Sequence, residues 1–391
     1  MGKFRSYKYF LVLAMLSFSS SLWAQEDYKT VQKNDTLTSG EFHLAEQVMD
    51  FLTIEGQKFS VVTFPIGGYS EQTGLSVGLM PIFTWKNTKE KLGSTYNRPT
   101  SLIPSFEIST KGMYDADLSL ILFGIGNWNL FMTGYLTYTP NTFYGINELD
   151  PVEISSYFNT IYGGNGEFTY GLDKNWFVGL RFDLQHNSFE KIQGDALNES
   201  VLGYQGGNTV GLGPVVKYDS RDDIVYPTKG FFGTVAFATY MQGMGNTYQY
   251  QHFYTDLRYF IPLANDKNVF AFNYLYHNKV GDVPFYALNQ LGGKKRLRSI
   301  GQPNRFMDKQ LMLLQAEYRR EIWWRIGMTA FFGLGNTWGQ EHTALTKDMK
   351  YGGGLGFRFR LSEEVKLNFR MDIGFGNYDQ QGTWLTSREA Y

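Results

Sequence analysis

Apolar and polar residues alternate with a period of two over most of the chain beyond residue 59. In 366–375, Leu367, Phe369, Met371, Ile373 and Phe375 share one face, and Lys366, Asn368, Arg370, Asp372 and Gly374 the other. Leu355, Phe357, Phe359 and Leu361 likewise oppose Gly354, Gly356, Arg358 and Arg360, and Val178, Leu180, Phe182 and Leu184 oppose Gly179, Arg181, Asp183 and Gln185. Such alternation marks strands whose two faces meet different surroundings. It predicts sixteen strands, near 59–67, 74–86, 101–111, 116–125, 128–138, 157–171, 176–189, 207–219, 230–240, 248–262, 268–279, 309–321, 324–337, 350–361, 365–376 and 381–391. Many exceed the ~5–6 residues of a common soluble strand and match the ~9–11 that cross a bilayer at a tilt. In hydrocarbon only a closed barrel pairs every backbone group of a sheet. The expected fold is therefore all-β: an antiparallel transmembrane barrel, apolar outside and polar toward its lumen. Short connections such as 112–115 and 362–365 are expected at the periplasmic rim, and 87–100, 139–156, 190–206 and 280–308 outside the cell.

Composition agrees with this picture. Aromatic residues make up 17% of the 391 residues, with 43 Gly and only 11 Pro. Aromatics recur near strand ends, among them Trp85, Trp128, Tyr138, Trp176, Tyr240, Tyr259, Trp323 and Trp338, as in the girdles at membrane interfaces. Residues 1–24 carry Lys3, Arg5 and Lys8, an apolar run over 10–18 and a small residue, Ala24, and read as a cleaved signal peptide. The expected location is the outer membrane of a Gram-negative bacterium. Beyond the leader 33 basic residues face 37 acidic ones, which gives no footprint for nucleic acid. With no Cys there is neither a disulfide nor a thiolate metal site. No metal or other cofactor is expected. None of the five His stands near a nucleophile or paired carboxylates at a suggestive spacing, so the chain does not read as an enzyme. Residues 25–58 form a separate arm. Phe42, Ala45, Val48, Met49 and Leu52 lie at helical spacing within 41–52, as either a short amphipathic helix at the barrel or an irregular entrance segment.

Two segments carry a family resemblance. One is Tyr218-Asp219-Ser220-Arg221-Asp222 followed by Pro227-Thr228-Lys229-Gly230. The other is Gly292-Gly293-Lys294-Lys295-Arg296-Leu297-Arg298-Ser299-Ile300, then Arg305-Phe306, Asp308-Lys309 and Glu317-Tyr318-Arg319. In content and order, through Phe331-Phe332-Gly333-Leu334-Gly335 and the closing strand, they resemble the BamA/TamA-type outer-membrane barrels, the bacterial surface antigen family. The resemblance covers about 59–391. It implies a barrel whose first and last strands meet in a weak seam, and a long extracellular loop folded back into the lumen. The loop's Arg-Gly-aromatic tip pairs with acidic residues on strands twelve and thirteen. Arg298 takes the Arg position and Glu317 one acidic position. The aromatic Tyr391, at the end of a final strand 381–391, resembles the C-terminal signal by which such barrels are recognised for assembly.

The sequence departs from the family at several points. Ser299 stands for Gly, Ile300 for the aromatic, and Gly333 for the inner-wall Asp. Asp372, lumen-facing by alternation, is the candidate to replace that lost carboxylate. The alternative is a solvated loop Arg298. Asp219, Arg221, Asp222, Pro227 and Gly230 suit a tight turn at the rim. Arg319, Arg358, Arg360 and Arg370 fall on the lumen wall, either as a salt-bridged lining or as a hold on the loop. The 34 residues between leader and first strand are too few for a POTRA domain. The resemblance implies a role in outer-membrane biogenesis: protein insertion or export, or lipid movement, through the seam. The alternatives are a non-catalytic subunit or scaffold of an envelope complex, or a plugged pore. The expected partners are outer-membrane lipids and other envelope-assembly proteins.

Overall fold

The computed structural model describes residues 53–55, 59–85, 100–323, 325–339, 344–362, 367–387 and 389–391. The expected leader 1–24 and the segments 25–40 and 41–52 lie outside the described residues. Sixteen long strands form the barrel: β1 (Phe59–Ser70), β2 (Gly74–Trp85), β3 (Thr100–Ser109), β4 (Tyr114–Ile125), β5 (Trp128–Phe143), β6 (Ser155–Gly171), β7 (Trp176–Gln193), β8 (Gly207–Asp219), β9 (Gly230–Tyr240), β10 (Tyr250–Leu263), β11 (Asn265–Gly281), β12 (Gln310–Trp323), β13 (Ile326–Trp338), β14 (Lys350–Ser362), β15 (Leu367–Gly376) and β16 (Gln381–Ser387). Each pairs antiparallel with the next, and β16 stands beside β1 to complete the ring.

The alternation places side chains as expected. On β12, Leu313, Gln315, Glu317 and Arg319 are buried while Leu314 is exposed; on β15, Asn368, Arg370 and Asp372 are buried while Ile373 and Phe375 are exposed. The exposed apolar residues circle the outside, where lipid rather than water covers them. Trp85, Trp128, Trp176 and Trp323, exposed at strand ends, lie at the rim where even-numbered strands hand over to odd ones. Tyr240 does not belong to a girdle. It is 4% exposed, stacks on Tyr250 at 4.1 Å and donates to Asp183 at 3.1 Å inside the lumen.

Strand parity also corrects the sidedness of two connections. In an up-and-down barrel, connections after odd strands share one rim. The short turn after β3 therefore lies on the same rim as the long connections after β5, β7 and β11, not opposite them. The stretch after β2 opens at the other rim and lies outside the described residues. Length alone misled here, because a tight turn suits either rim.

The closing strands differ from the rest. β16 has 7 residues against 12 in β1, and Leu385 O sits 2.0 Å from where a Cβ on Gly68 would be. That close approach needs a glycine. Residues 60–62 of β1 pair instead with a short strand, Thr53–Glu55, of the preceding segment. The final strand does not run to 391. It ends at Ser387, and Glu389, Ala390 and Tyr391 are buried inside the lumen.

Candidate functional site: the inserted loop and its arginine cluster

The connection between β11 and β12 folds back into the barrel. Glycine opens the path: Gly293 adopts φ +120°, a conformation that other residues rarely take. Leu291, Leu297, Ile300 and Phe306 then bury against Leu275, Leu311 and Leu313 of the wall, each at most 8% exposed. Nearer the rim, Val283, Phe285, Leu288 and Met307 pack with Phe143, Tyr157, Tyr240 and Tyr250. Burying such side chains yields about 1.5–3 kcal/mol apiece, enough to hold a loop that would otherwise be solvated.

This packing delivers Arg298 to the inner wall. Its guanidinium is 1% exposed and lies 3.7 Å from the centre of the Phe331 ring. Nη1 donates to Asp372 Oδ2 at 2.8 Å, and Nη2 donates to Glu317 Oε2. Arg298 therefore holds two carboxylates, and the second comes from β15. Gly333 leaves room for Leu297: a Cβ there would lie 2.9 Å from Leu297 Cδ1. Leu297 fills the space beside Gly333, and Asp372 supplies the second carboxylate.

The cluster extends beyond this pair. Arg319 Nε donates to Glu317 at 2.6 Å, Arg358 Nη1 donates to Asp372 at 2.6 Å, and Arg370 Nε lies 3.4 Å from Asp372. Glu389 of the inturned tail accepts from Arg358 Nε at 2.9 Å and from Asn368 at 2.9 Å, and Arg319 Nη2 donates to Tyr391 O at 2.9 Å. Tyr391 thus packs in the lumen beside Phe260, Val269 and Ala271 rather than ending a membrane strand, because arginines draw the tail inward. Among the described residues, four arginines and three carboxylates share this dry space. Each ion would be costly to bury alone, and pairing offsets part of that cost, with Arg298 Nε, Arg358 Nη2 and both Nε and Nη1 of Arg370 left without a hydrogen bond.

The rest of the tip fits the wall just as closely. Ser299 lies on a floor of glycines. A Cβ at Gly352 would come within 2.5 Å of its Cβ, and one at Gly376 within 2.9 Å of its Oγ. Ile300 rests on Gly292, whose Cβ would lie 2.6 Å from its Cγ2. The loop also touches the last strand. Trp384 Nε1 donates to Arg298 O at 2.8 Å, and Gly301 N donates to Gln381 O at 3.1 Å.

The rim motif builds a turn at the opposite end. Asp219 takes both Arg221 Nε and Nη2 at 2.9 and 3.0 Å. Asp222 accepts from Thr228 N, Thr228 Oγ1 and Lys229 N at 2.9, 2.5 and 3.1 Å. Pro227 follows the buried Tyr226, and Gly230 has φ +107° with Ser220 O where a side chain would go. Tyr226 lies beneath Arg319 and Arg360, 5.6 and 4.7 Å from its ring centre, so the turn meets the arginine cluster. Arg360 itself pairs with Glu321 at 2.6 Å, at the edge of the cluster.

Sequence reasoning missed three participants. Glu389 is the only acid in 381–391, opposite surplus arginines on β14 and β15, and that imbalance was the available signal. Trp384 gave no signal, because its partner is a main-chain carbonyl of the distant loop. Asn147 gave no signal at all. It is fully buried with φ +57°, accepts from Lys350 Nζ at 3.0 Å and donates to Thr337 O at 2.7 Å, fastening the connection after β5 over the lumen.

Comparison with known proteins agrees with this architecture. The model of the Omp85 superfamily domain matches residues 117–384. Among solved structures, BamA from Haemophilus ducreyi lacking POTRA domains 1–3 superposes with a TM-score of 0.56 at 14% identity, covering 85% of this chain and 70% of that one. CdiB from Acinetobacter baumannii gives 0.55 at 14% identity over 85% and 59%, and CdiB from Escherichia coli 0.54 at 11% over 86% and 63%. The chain thus spans between 59% and 70% of the length of these structures. No curated protein sequence matches it. At these identities the structural likeness speaks for the fold. The family match covers more than half the chain, and the chain belongs to the Omp85 superfamily of outer-membrane β-barrels.

Proposed function

We propose that this barrel, exported by a cleaved leader over 1–24, inserts or exports protein at the outer membrane by parting β1 from β16. The observation that carries this reading is the uneven seam. β16 spans 7 residues beside the 12 of β1, whose other end is taken by Thr53–Glu55. Fewer shared residues mean fewer ladder hydrogen bonds, each worth about 0.5–1.5 kcal/mol net, so this joint opens more easily than the one between β1 and β2, which is paired along the whole of β1. The edge of β1 exposed when β16 parts from it would template an incoming strand, as sheet edges do.

In this reading Arg298, Glu317 and Asp372 form the lock that keeps the loop seated. The loop is tied to β16 through Trp384 and Gln381, so seating the loop and closing the seam support each other. The chemistry is mechanical, not catalytic, and the partners are outer-membrane lipids and envelope-assembly proteins. The test is a set of cysteine pairs across 66–70 of β1 and 381–385 of β16. Oxidation should reproduce the outer-membrane protein defects of a deletion strain, and reductant should reverse them. If a fully crosslinked barrel supports a normal outer-membrane proteome, lateral opening is not how it works.

A further inference from the structure

On the loop-bearing side of the arginine cluster the lumen encloses a separate polar cavity of about 280 Å³. Its walls come from β7 to β11 and the inserted loop. Arg181, Lys279 and Arg296 line it, with Asp183 as the one lining carboxylate. Neighbouring acids are already paired: Asp256, near Arg296, is held by Arg258 at 2.5 Å. Arg181 reaches Glu167 at 3.3 Å, but Lys217 holds the same carboxylate. Lys279 donates to Ala287 O, and Arg296 to Gln290 O, both main-chain carbonyls without a full charge.

Two histidines complete the wall. His252 Nε2 and His277 Nδ1 are 3.0 Å apart and share one hydrogen bond. His277 is 6% exposed, and its Nε2 has no hydrogen-bond partner. When His252 is the donor of the shared bond, His277 Nε2 carries a hydrogen that finds no acceptor in the wall. A buried donor without an acceptor is unfavourable, and so are unbalanced cations at low dielectric. One ligand type relieves both. We propose that this cavity is a binding site for a phosphate-type oxyanion, held by Lys279, Arg296 and Arg181, with His277 Nε2 as a neutral donor. Phosphate offers several acceptor oxygens to cations on different walls, where a lone carboxylate offers two. The site holds the inserted loop through Arg296, so an occupied site also favours the seated loop. It stands whether or not the seam opens.

The test is calorimetric titration of the folded, detergent-solubilised barrel. Inorganic phosphate and a short-chain phosphatidic acid are titrated separately, in chloride buffer. Saturable one-site binding is expected from at least one of them. Binding of inorganic phosphate identifies a soluble anion, and binding of the lipid alone identifies a headgroup. Lys279→Gln and Arg296→Gln should each weaken binding by about tenfold or more, one charge-assisted hydrogen bond being removed. Lys279→Arg should stay near wild type. Wild-type protein that binds neither ligand saturably overturns the proposal without any variant. So does a correctly folded Lys279→Gln, verified by heat-modifiable gel mobility, that binds as wild type does.

Discussion

Arg298 is held by charge on one side and by missing side chains on the other. Its guanidinium joins Glu317 and Asp372, while the following Ser299 needs glycines opposite it. The two requirements can be probed separately. Arg298→Ala leaves two carboxylates buried with less compensation. Removing one partner of a buried pair costs about 3–5 kcal/mol. A marked drop in the temperature of heat-modifiable gel migration is expected. In a double-mutant cycle with Glu317→Gln, the pair should couple strongly, and additive effects would mean that the arginine does not hold the loop. Lys at 298 should rescue poorly, because an ammonium cannot span two carboxylates as the guanidinium fork does. Gly382→Ala tests the steric side. Its Cβ would lie 2.1 Å from Arg298 O, so the loop must lift and the Trp384 bond must break. Overpacking of this kind costs about 1–3 kcal/mol. The expected sign is faster proteolysis of the loop after Lys294 or Lys295, with barrel content by circular dichroism unchanged.

Elements show where local pattern suffices and where it stops. Period-two alternation is a property of one strand, so strand positions and the inward residues Glu317, Arg319, Arg358, Arg370 and Asp372 were legible. The end of β16 was not. Its departure from the ladder depends on Arg358 and Arg319, on other strands, which attract Glu389 and Tyr391 O. No window of neighbouring residues carries that information. Tyr240 shares the parity of the buried Thr234, Ala236 and Ala238, so alternation turns it inward, and the loop provides the lumenal surface against which it is buried. The turn after β8 lies between these extremes. Its motif was visible, and its mechanism is Asp222 closing the turn with three accepted hydrogen bonds. Asp222→Ala should cost about 1.5–3 kcal/mol, the range for bonds to a charged group. It should also free Lys229 for trypsin in the folded barrel, and unchanged cleavage would show that the turn is held by other contacts. Because Tyr226 lies under Arg319 and Arg360, loosening this turn should also lower the stability of the loop lock.

At the scale of the whole molecule the lumen is filled rather than open, and what fills it is positively charged. The seated loop closes the path with two apolar clusters, and the Asn147–Lys350 contact fastens a second connection over it. The arginine cluster sets four cations against three carboxylates, and the cavity beside it sets three cations against Asp183. An ion that passes along this side of the lumen meets both regions, whereas Glu107, Asp115 and Asp117 line the inner face of β3 and β4. In a narrow, low-dielectric passage, fixed charge of one sign raises the local concentration of counter-ions and repels the others. The barrel in a planar bilayer should therefore give small currents that favour chloride over potassium. Arg298→Ala should enlarge the current by releasing the loop. Lys279→Gln combined with Arg296→Gln should instead shift the reversal potential in a salt gradient toward zero, with little gain in conductance. Inorganic phosphate should reduce the wild-type current and leave that of the double variant unaffected. A large, unselective wild-type conductance would mean that the loop does not occupy the lumen in the membrane. Unchanged selectivity in the double variant would place the conducting path outside the cavity.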